Sequence, residues 1–569
     1  YMVPAAVVIV DAMPLTVNGK LDTRALPAPQ FQNAGSYCAP ATPVEETVAD
    51  IYARVLRLER VGVDESFFDL GGDSISAMRV IAAINASLDV RLKVRGMFDA
   101  PTVRGLSRHV SRHADAASDP RYNSVHGDDA AKVYARDLTL DKFIDPTTLD
   151  AAPRLPGTSP EIRTVLLTGA TGFVGRYLVL ELLQQMELLD GKLICLVRAD
   201  SDEEARRRLD QTFDGGDPQL LQHFEELAAD HLEVIAGDKA QTDLGLEQQS
   251  WQRLADTVDL IVDAAAVVNA AMPYRELFGP NVVGTAELIR IALTKKLKRY
   301  TYVSTADVGT QIEPSTFTED ADIRTISPAR NIDDSLANGY GNSKWAGEVL
   351  LREANDLCGL PVAVFRCGMI LADTSYAGQL NVSDTVTRMV LSILTTGIAP
   401  ASFYQLGADG NRQRAHFDGL PVEFVAEAIA TLGAVGVSSS VAGFQTFHVM
   451  NPHDDGIGLD EYVDWLIEAG HPIQRIEDFG EWLRQFQTGL RALPDRQRQH
   501  SVLQMLALRN PSQAQSLVPT LGSYAPTDRF RAAVKEAKIG PDTDNPDIPH
   551  ISAPIILKYV ADLQLFGLL

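Results

Sequence analysis

The run Thr164-Val165-Leu166-Leu167-Thr168-Gly169-Ala170-Thr171-Gly172-Phe173-Val174-Gly175 constrains the fold of this chain more than any other. An apolar strand passes through a glycine turn straight into Arg176-Tyr177-Leu178-Val179-Leu180-Glu181-Leu182-Leu183, an apolar helical pattern. Lys192-Leu193-Ile194-Cys195-Leu196-Val197 supplies a second strand and completes a βαβ unit. Such a turn sets the backbone of Gly169, Thr171, Gly172, Phe173, Val174 and Gly175, with the helix N-terminus behind it, against a pyrophosphate. This half of the chain therefore reads as a Rossmann-like, doubly wound parallel α/β sheet.

The second strand ends at Arg198, where an acidic residue would grip a free ribose 2′-hydroxyl and an arginine accommodates a 2′-phosphate. That predicts NADPH as the cofactor. Arg206, Arg207 and Arg208 offer a further phosphate contact or form a solvated helix face, and Asp200 sits close by. Asp238, after the strand His231-Leu232-Glu233-Val234-Ile235, either accepts from the adenine amino group or caps a helix. Leu260-Ile261-Val262-Asp263-Ala264-Ala265 reads as a buried strand whose small end residues, Ala265 among them, permit close cofactor approach. Asn281 is read as the start of another helix on that sheet edge.

The chemistry is expected at two further places. Tyr302-Val303-Ser304-Thr305 ends a strand, and Tyr340-Gly341-Asn342-Ser343-Lys344 opens a helix that runs on through Trp345. Residues four apart share a helix face, so Tyr340 and Lys344 project together, and a nearby ammonium is expected to lower the tyrosine pKa and make it a usable proton donor.

Toward the N-terminus, Leu70-Gly71-Gly72-Asp73-Ser74-Ile75-Ser76 precedes Met78, Val80, Ile81 and Ile84 at helical spacing, which places Ser74 at an amphipathic helix start. A serine there is an N-cap or the attachment point of an anionic prosthetic arm. Phe67-Phe68-Asp69-Leu70-Gly71-Gly72-Asp73-Ser74, with Met97-Phe98-Asp99-Ala100-Pro101-Thr102-Val103, resembles the peptidyl carrier domains of nonribosomal peptide synthetases over residues 40–115. That resemblance implies 4′-phosphopantetheine on Ser74, installed by a phosphopantetheinyl transferase. Pro14-Leu15-Thr16-Val17-Asn18-Gly19-Lys20-Leu21-Asp22 is similar to the last motif of an adenylation domain, so residues 1–30 read as its tail, with upstream synthetase domains in the same polypeptide. Asn18-Gly19 is also a plain hairpin turn with Lys20 solvated beside it.

Residues 136–569 resemble the extended short-chain dehydrogenase/reductases, and within them the thioester reductase domains of peptide synthetases and carboxylic acid reductases. The resemblance includes Val364-Phe365-Arg366-Cys367-Gly368-Met369-Ile370-Leu371 and His448-Val449-Met450-Asn451-Pro452. It implies Thr305 as the hydroxyl partner with Ser304 in reserve, Tyr340 as the acid and Lys344 as the ribose-binding lysine. Lys192 to Arg198 and Asp238 would carry the adenosine contacts. Carboxylic acid reductases commonly have aspartate where this chain has Gly368. Its loss either opens the site to a second hydride and an alcohol product, or Gly368 is a backbone requirement. Reductive release of a tethered acyl or peptidyl thioester is the implied activity, against an epimerase on nucleotide sugars and a non-catalytic carrier module.

The expected fold is thus multidomain: a small α-helical carrier bundle, a linker over 116–135, and the reductase. The reductase divides into a cofactor core over 161–370 and a smaller, mainly helical substrate-side subdomain over 371–415 and 450–569. Tyr376, Phe403 and Tyr404 are candidates for an acyl channel there, and Glu65, Asp69 and Asp73 for docking against Arg412 and Arg414. A net charge of −24 argues against nucleic acid and anionic membranes. The four cysteines and 11 histidines show no metal-ligand spacing, and no apolar run is long enough to cross a bilayer. A metal-free, monomeric, cytoplasmic protein is expected.

Overall fold

A computed structural model describes residues 38–569 except 57, 59, 68–69, 71–73, 89–91, 93–96, 98–99, 108–119, 128–129, 269–271, 334–337, 436–442, 509–515 and 543. The adenylation-tail motif, Lys20, Asp69 and Asp73 lie outside the described residues, as does the side chain of Ser74. The chain divides into two compact units, Tyr1–Pro120 and Arg121–Leu569.

The first unit holds helices α1 (Pro43–Leu56) and α2 (Ser74–Leu88). Glu45 and Glu46 in the first turn of α1, and Arg54 in its last, complement the helix dipole. Val48, Ile51 and Tyr52 of α1 bury against Val80, Ile81 and Ile84 of α2, together with Phe67, Met97 and Val103. Tyr52 meets Phe67 edge-on at 5.0 Å and donates its hydroxyl to the Met97 sulfur at 3.0 Å. Phe67 N–H donates to Pro101 O at 2.8 Å and Arg104 N–H to Val63 O at 2.8 Å, fastening the loop ahead of α2 to the segment after Met97.

The second unit is built on seven parallel strands: β1 (Thr164–Thr168), β2 (Lys192–Val197), β3 (Leu232–Ala236), β4 (Leu260–Asp263), β5 (Arg299–Thr305), β6 (Val362–Cys367) and β7 (Phe444–Val449). Their order is β3-β2-β1-β4-β5-β6-β7, so the direction of winding reverses between β1 and β4. That switch point leaves a crevice at the carboxyl ends of the strands. The Rossmann-like expectation is borne out.

Helix α3 (Phe173–Leu189) buries Leu178, Leu182 and Leu183 against one face of the sheet, together with Val425 and Ile429 of α7 (Val422–Val435). Helix α5 (Asn338–Cys358) buries Trp345, Val349 and Leu350 on the other face. Helix α4 (Asp202–Phe213) follows β2. A third core belongs to the substrate-side subdomain, where helices α6 (Thr385–Thr396), α8 (Leu459–Glu468), α9 (Phe479–Ala492) and α10 (Ala553–Leu565) pack together. In α9, Trp482, Phe486 and Leu490 recur every fourth residue and are all buried, each adding roughly 1.5–3 kcal/mol of apolar burial.

The segment read as a linker differs from Arg121 onward. Tyr122 and Val125 of the helix Pro120–His126, and Val133 beyond it, are buried in the second unit. Tyr122 and His126 pack edge-on against Phe278 at 5.3 and 5.4 Å. The polar composition of the preceding residues hid this aromatic anchor.

Candidate active site

The glycine turn is shaped by sterics. Gly169 has φ +78°, and a Cβ there would stand 2.8 Å from the Ala265 nitrogen of the neighbouring strand end. A Cβ on Gly175 would lie 1.8 Å from the Gly169 carbonyl oxygen, so only a bare backbone lets α3 start this close to β1. Gly172 N–H donates to Gly169 O at 2.9 Å and closes the turn. Gly169 and Thr171 line a cleft with Arg198, Asp238, Lys239, Ala265 and Pro280. Phe173 and Val174 open α3 half-buried.

A second hollow joins it at the end of β2, lined by Arg198, Asp200, Glu204, Arg208, Asp238 and Gly245. Arg208 donates to the Arg198 carbonyl, which holds its guanidinium over that hollow. Arg206 and Arg207 instead pair with Asp210 and Glu204 on their own helix, at 2.8 and 3.7 Å. Asp238 caps a turn rather than a helix, accepting Ala240 N–H at 3.0 Å. Lys192 lies at the opposite end of β2, its ammonium donating to Asp230 O at 3.0 Å, so it is no part of this hollow. These residues fit a 2′-phosphorylated dinucleotide: the cradle is one a Cβ would fill, and two guanidinium groups border the phosphate side.

Sequence reasoning missed what supports the cleft from below. Lys239 Nζ bonds both oxygens of the fully buried Asp263, at 2.6 and 2.8 Å, and the Ala265 carbonyl at 3.1 Å. Thr168 and Tyr300 hydroxyls donate to the same carboxylate at 2.9 and 3.0 Å. Burial would raise Asp263, but the Lys239 charge and these donors hold it below the usual carboxylate range. The signal was present as Asp263 inside an otherwise apolar strand, since a buried charge needs a partner. Asn281 does not begin a helix. It sits in a π-helical turn, Phe278–Val283, within a continuous helical stretch, and its amide bonds Val267 N–H at 2.9 Å and Ser343 Oγ at 2.9 Å. It thereby ties the cleft wall to α5.

The turn after Thr305 and the start of α5 meet by close backbone packing. Thr305 ends β5 and accepts Asp307 N–H at 3.2 Å. Gly341 lets α5 press on that turn, since a Cβ on it would be 2.9 Å from Asp307 O. Ser304 is committed elsewhere: its hydroxyl donates to Glu348 at 2.6 Å, inside a buried Glu348–Arg366 pair of 2.7 Å. Thr305 is joined to Asp307 twice, accepting its N–H and hydrogen-bonding its carboxyl, which burial raises.

The electrostatics differ from expectation. The Lys344 ammonium turns inward, donating to Val303 O at 2.8 Å and lying 4.6 Å from the centre of the Tyr302 ring. It does not depress Tyr340. Burial raises the Tyr340 phenol, and the neighbouring Asp307 and Cys367 raise it further. Lys344 itself is lowered by burial to about 8, with Asp263 opposing the shift.

Gly368 also departs from the gating expectation. The space a side chain would occupy holds another carboxylate, because a Cβ on Gly368 would lie 1.8 Å from Asp418 Oδ2. Asp418 accepts Met369 N–H at 3.2 Å and Asn451 N–H at 2.7 Å, and burial raises it to about 6. Gly368 is a packing requirement, and neither charge nor bulk is missing beside it. Phe403 and Tyr404 are buried core residues, Phe403 meeting Trp482 at 5.7 Å and the Tyr404 hydroxyl accepting Leu459 N–H. Tyr376 is half-buried among residues of the α3 core. Arg412 and Arg414 are half-exposed and paired within their own unit, with Asp464 at 2.7 Å and Asp454 at 3.2 Å.

Fold and site together define a helical carrier unit followed by a nicotinamide-dinucleotide reductase of the extended short-chain type. The male sterility protein family matches residues 167–429, and the phosphopantetheine attachment site family matches residues 46–110. The crystal structure of the reductase domain of a nonribosomal peptide synthetase from Mycobacterium tuberculosis is 72% identical, covers 77% of this chain and 100% of its own, and superposes with a TM-score of 0.73. The chain belongs to the reductase domains of nonribosomal peptide synthetases, here preceded by a phosphopantetheine attachment domain. It is 71% identical over its full length to the isonitrile lipopeptide synthase of Mycobacterium tuberculosis, and 62% identical over 93% of its length to the carboxylic acid reductase of Mycobacterium marinum. It spans 23% and 44% of those two proteins. Among the described residues no helix is long and apolar enough to cross a membrane.

Proposed function

We propose that this chain releases an acyl or peptidyl group, held as a thioester on 4′-phosphopantetheine at Ser74, by NADPH-dependent reduction to an aldehyde. The observation that supports the reading is that the glycine turn and the Thr305 strand end follow parallel strands on either side of β4, with the Tyr340 helix start packed on the turn after Thr305 and with Arg198 and Arg208 bordering the cradle. Gly169, Thr171, Gly172 and Gly175 hold the pyrophosphate; Arg198 and Arg208 hold the 2′-phosphate; Asp238, Ala265 and Asn281 shape the wall; Lys344 bonds the ribose through an N–H other than the one given to Val303 O. When bound, NADPH supplies a hydride to the thioester carbonyl carbon. Thr305 donates a hydrogen bond to the carbonyl oxygen as charge develops on it, and Tyr340 delivers the proton. The carbon–sulfur bond then breaks, giving aldehyde and free thiol. The raised Tyr340 phenol is protonated but a weaker acid than a free tyrosine, so it gives up its proton only as charge develops on the carbonyl oxygen.

The carrier, over residues 40–115, is loaded by upstream synthetase domains of the same polypeptide after a phosphopantetheinyl transferase modifies Ser74, and the reductase works as a monomer in the cytoplasm. Likeness to the carboxylic acid reductases supports a second reading with the same chemistry on a simpler acyl substrate. The test is mass spectrometry of the product after loading Ser74 with an acyl-pantetheine arm and adding NADPH. One NADPH per aldehyde is expected. Two per alcohol would show a second reduction, and release without NADPH would overturn the proposal.

A further inference from the structure

Residues 516–527 cross the substrate-side subdomain as a strap without helix or extended sheet pairing, yet fastened at many points. Leu517 N–H donates to Phe403 O at 2.8 Å, and Leu517 O accepts Gln405 N–H at 2.8 Å. Thr520 O accepts His416 N–H at 2.8 Å. At the far end the Tyr524 hydroxyl donates to the carbonyl of Ala306, the residue after Thr305, at 2.7 Å. A segment held this firmly has a fixed outer face, and that face is apolar. Leu517, Val518, Leu521 and Tyr524 are 38%, 68%, 60% and 49% exposed, and Leu406, beside Gln405, is 46% exposed. Single exposed leucines need no explanation, but four exposed apolar side chains within eight residues of one braced segment make a candidate binding surface.

We propose that this strap is the rail on which an apolar acyl chain lies while its thioester occupies the site, an inference that rests on the thioester reductase reading above. Continuity selects the occupant: the apolar row ends at Ala306, next to the Thr305 hydroxyl, so whatever lies along it reaches the reacting carbonyl. The row is neutral throughout, since Ser516 to Thr527 contains no charged residue in a chain that is 22% charged. Seven residue steps from Leu517 to Tyr524 span at most about 23 Å, room for a long chain rather than a short one. Each methylene laid against the rail strengthens binding by roughly fourfold.

The experiment uses the full chain and compares propionyl- with dodecanoyl-S-pantetheine, following NADPH oxidation, in wild type, V518D/L521D and L188D. Leu188 is 85% exposed at the far end of α3 and controls for a new surface charge. Wild type and L188D should favour the dodecanoyl ester in kcat/KM, whereas V518D/L521D should lose at least about tenfold on that ester and nothing on the propionyl one. Equal loss on both esters, no loss, or a wild type indifferent to chain length overturns the rail. Binding of the unreactive thioether dodecyl-S-pantetheine, measured calorimetrically, is read alongside. If no ester is reduced but the thioether binds wild type and not V518D/L521D, the rail stands and the reductase reading falls. If the thioether binds neither or both, the rail falls.

Discussion

Around Gly169 the close approaches come from within the turn and from the adjoining strand end, whereas the space at Gly368 is filled by Asp418, delivered from a separate loop. The cofactor side is assembled around one contiguous glycine run, with the ends of β2 and β4, α4 and the turn at Asp238 closing on it. The substrate side is assembled from β5, α5, β6, the loop at Asp418 and the strap at Tyr524. Sterics of a bare backbone govern the first, and side chains meeting across the fold govern the second. Mutations should therefore separate cleanly: cofactor-side changes alter binding, and substrate-side changes alter turnover or depend on a distant partner.

The largest effect is expected from Tyr340→Phe, which removes the proton donor and keeps the ring. NADPH oxidation should fall by about 10²–10⁴-fold in kcat while NADPH affinity, measured by fluorescence titration, stays unchanged. Retained turnover would remove Tyr340 from the chemistry. Next is Arg198→Ala on the cofactor side. Loss of a charge-assisted phosphate contact of roughly 1.5–3 kcal/mol should reduce the preference for NADPH over NADH by about 10–150-fold, with kcat nearly constant. An unchanged preference would transfer the 2′-phosphate to other residues.

The same contrast decides what was legible in the sequence. Gly169 to Gly175, Arg198, and the Tyr340–Lys344 spacing are local patterns, and local geometry follows from them. Asp418 could not be read, because nothing near residue 418 says that its carboxylate fills the volume beside Gly368. The expected depression of Tyr340 failed for a related reason. Helical spacing places Lys344 on the right face, but its ammonium is claimed by the Val303 carbonyl across the sheet. The loop aromatics Phe403 and Tyr404 reveal neither their neighbours nor their burial in sequence, while Val80, Ile81 and Ile84 show theirs through helical spacing. Lys239 and Asp263 lie on different elements and announce themselves only as a buried charge in need of a partner.

Two alanine insertions test the contrast directly. Gly175→Ala would put its methyl against the Gly169 backbone oxygen, and Gly368→Ala would put its methyl against the Asp418 carboxylate. Each should cost about 1–3 kcal/mol of stability by overpacking, measured by urea unfolding. Only the second has a side chain to remove. Asp418→Ser should recover part of the loss in the Gly368→Ala background and destabilise wild type, giving a coupling of about 0.5–3 kcal/mol in a double-mutant cycle. Additive effects would show that Gly368 serves the backbone alone.

The smallest expected effect is a pH dependence carried by Asp418. Its folded pKa is raised to about 6, above the ordinary carboxylate value of 3.8. The folded state therefore binds the proton first, and stability carries a penalty above pH 6 that is relieved as pH falls from about 6 toward 4. Asp418→Asn cannot titrate. It also presents an NH₂ where one oxygen accepts Met369 N–H, so the variant is less stable at every pH. Subtracting variant from wild-type unfolding free energy cancels the other carboxylates and isolates this group. The difference should grow in favour of wild type by on the order of 1–3 kcal/mol between pH 7 and pH 4. A difference that stays flat would mean that Asp418 is already neutral at pH 7 or titrates below 4. Either outcome would separate the carboxylate at Gly368 from the burial assigned to it.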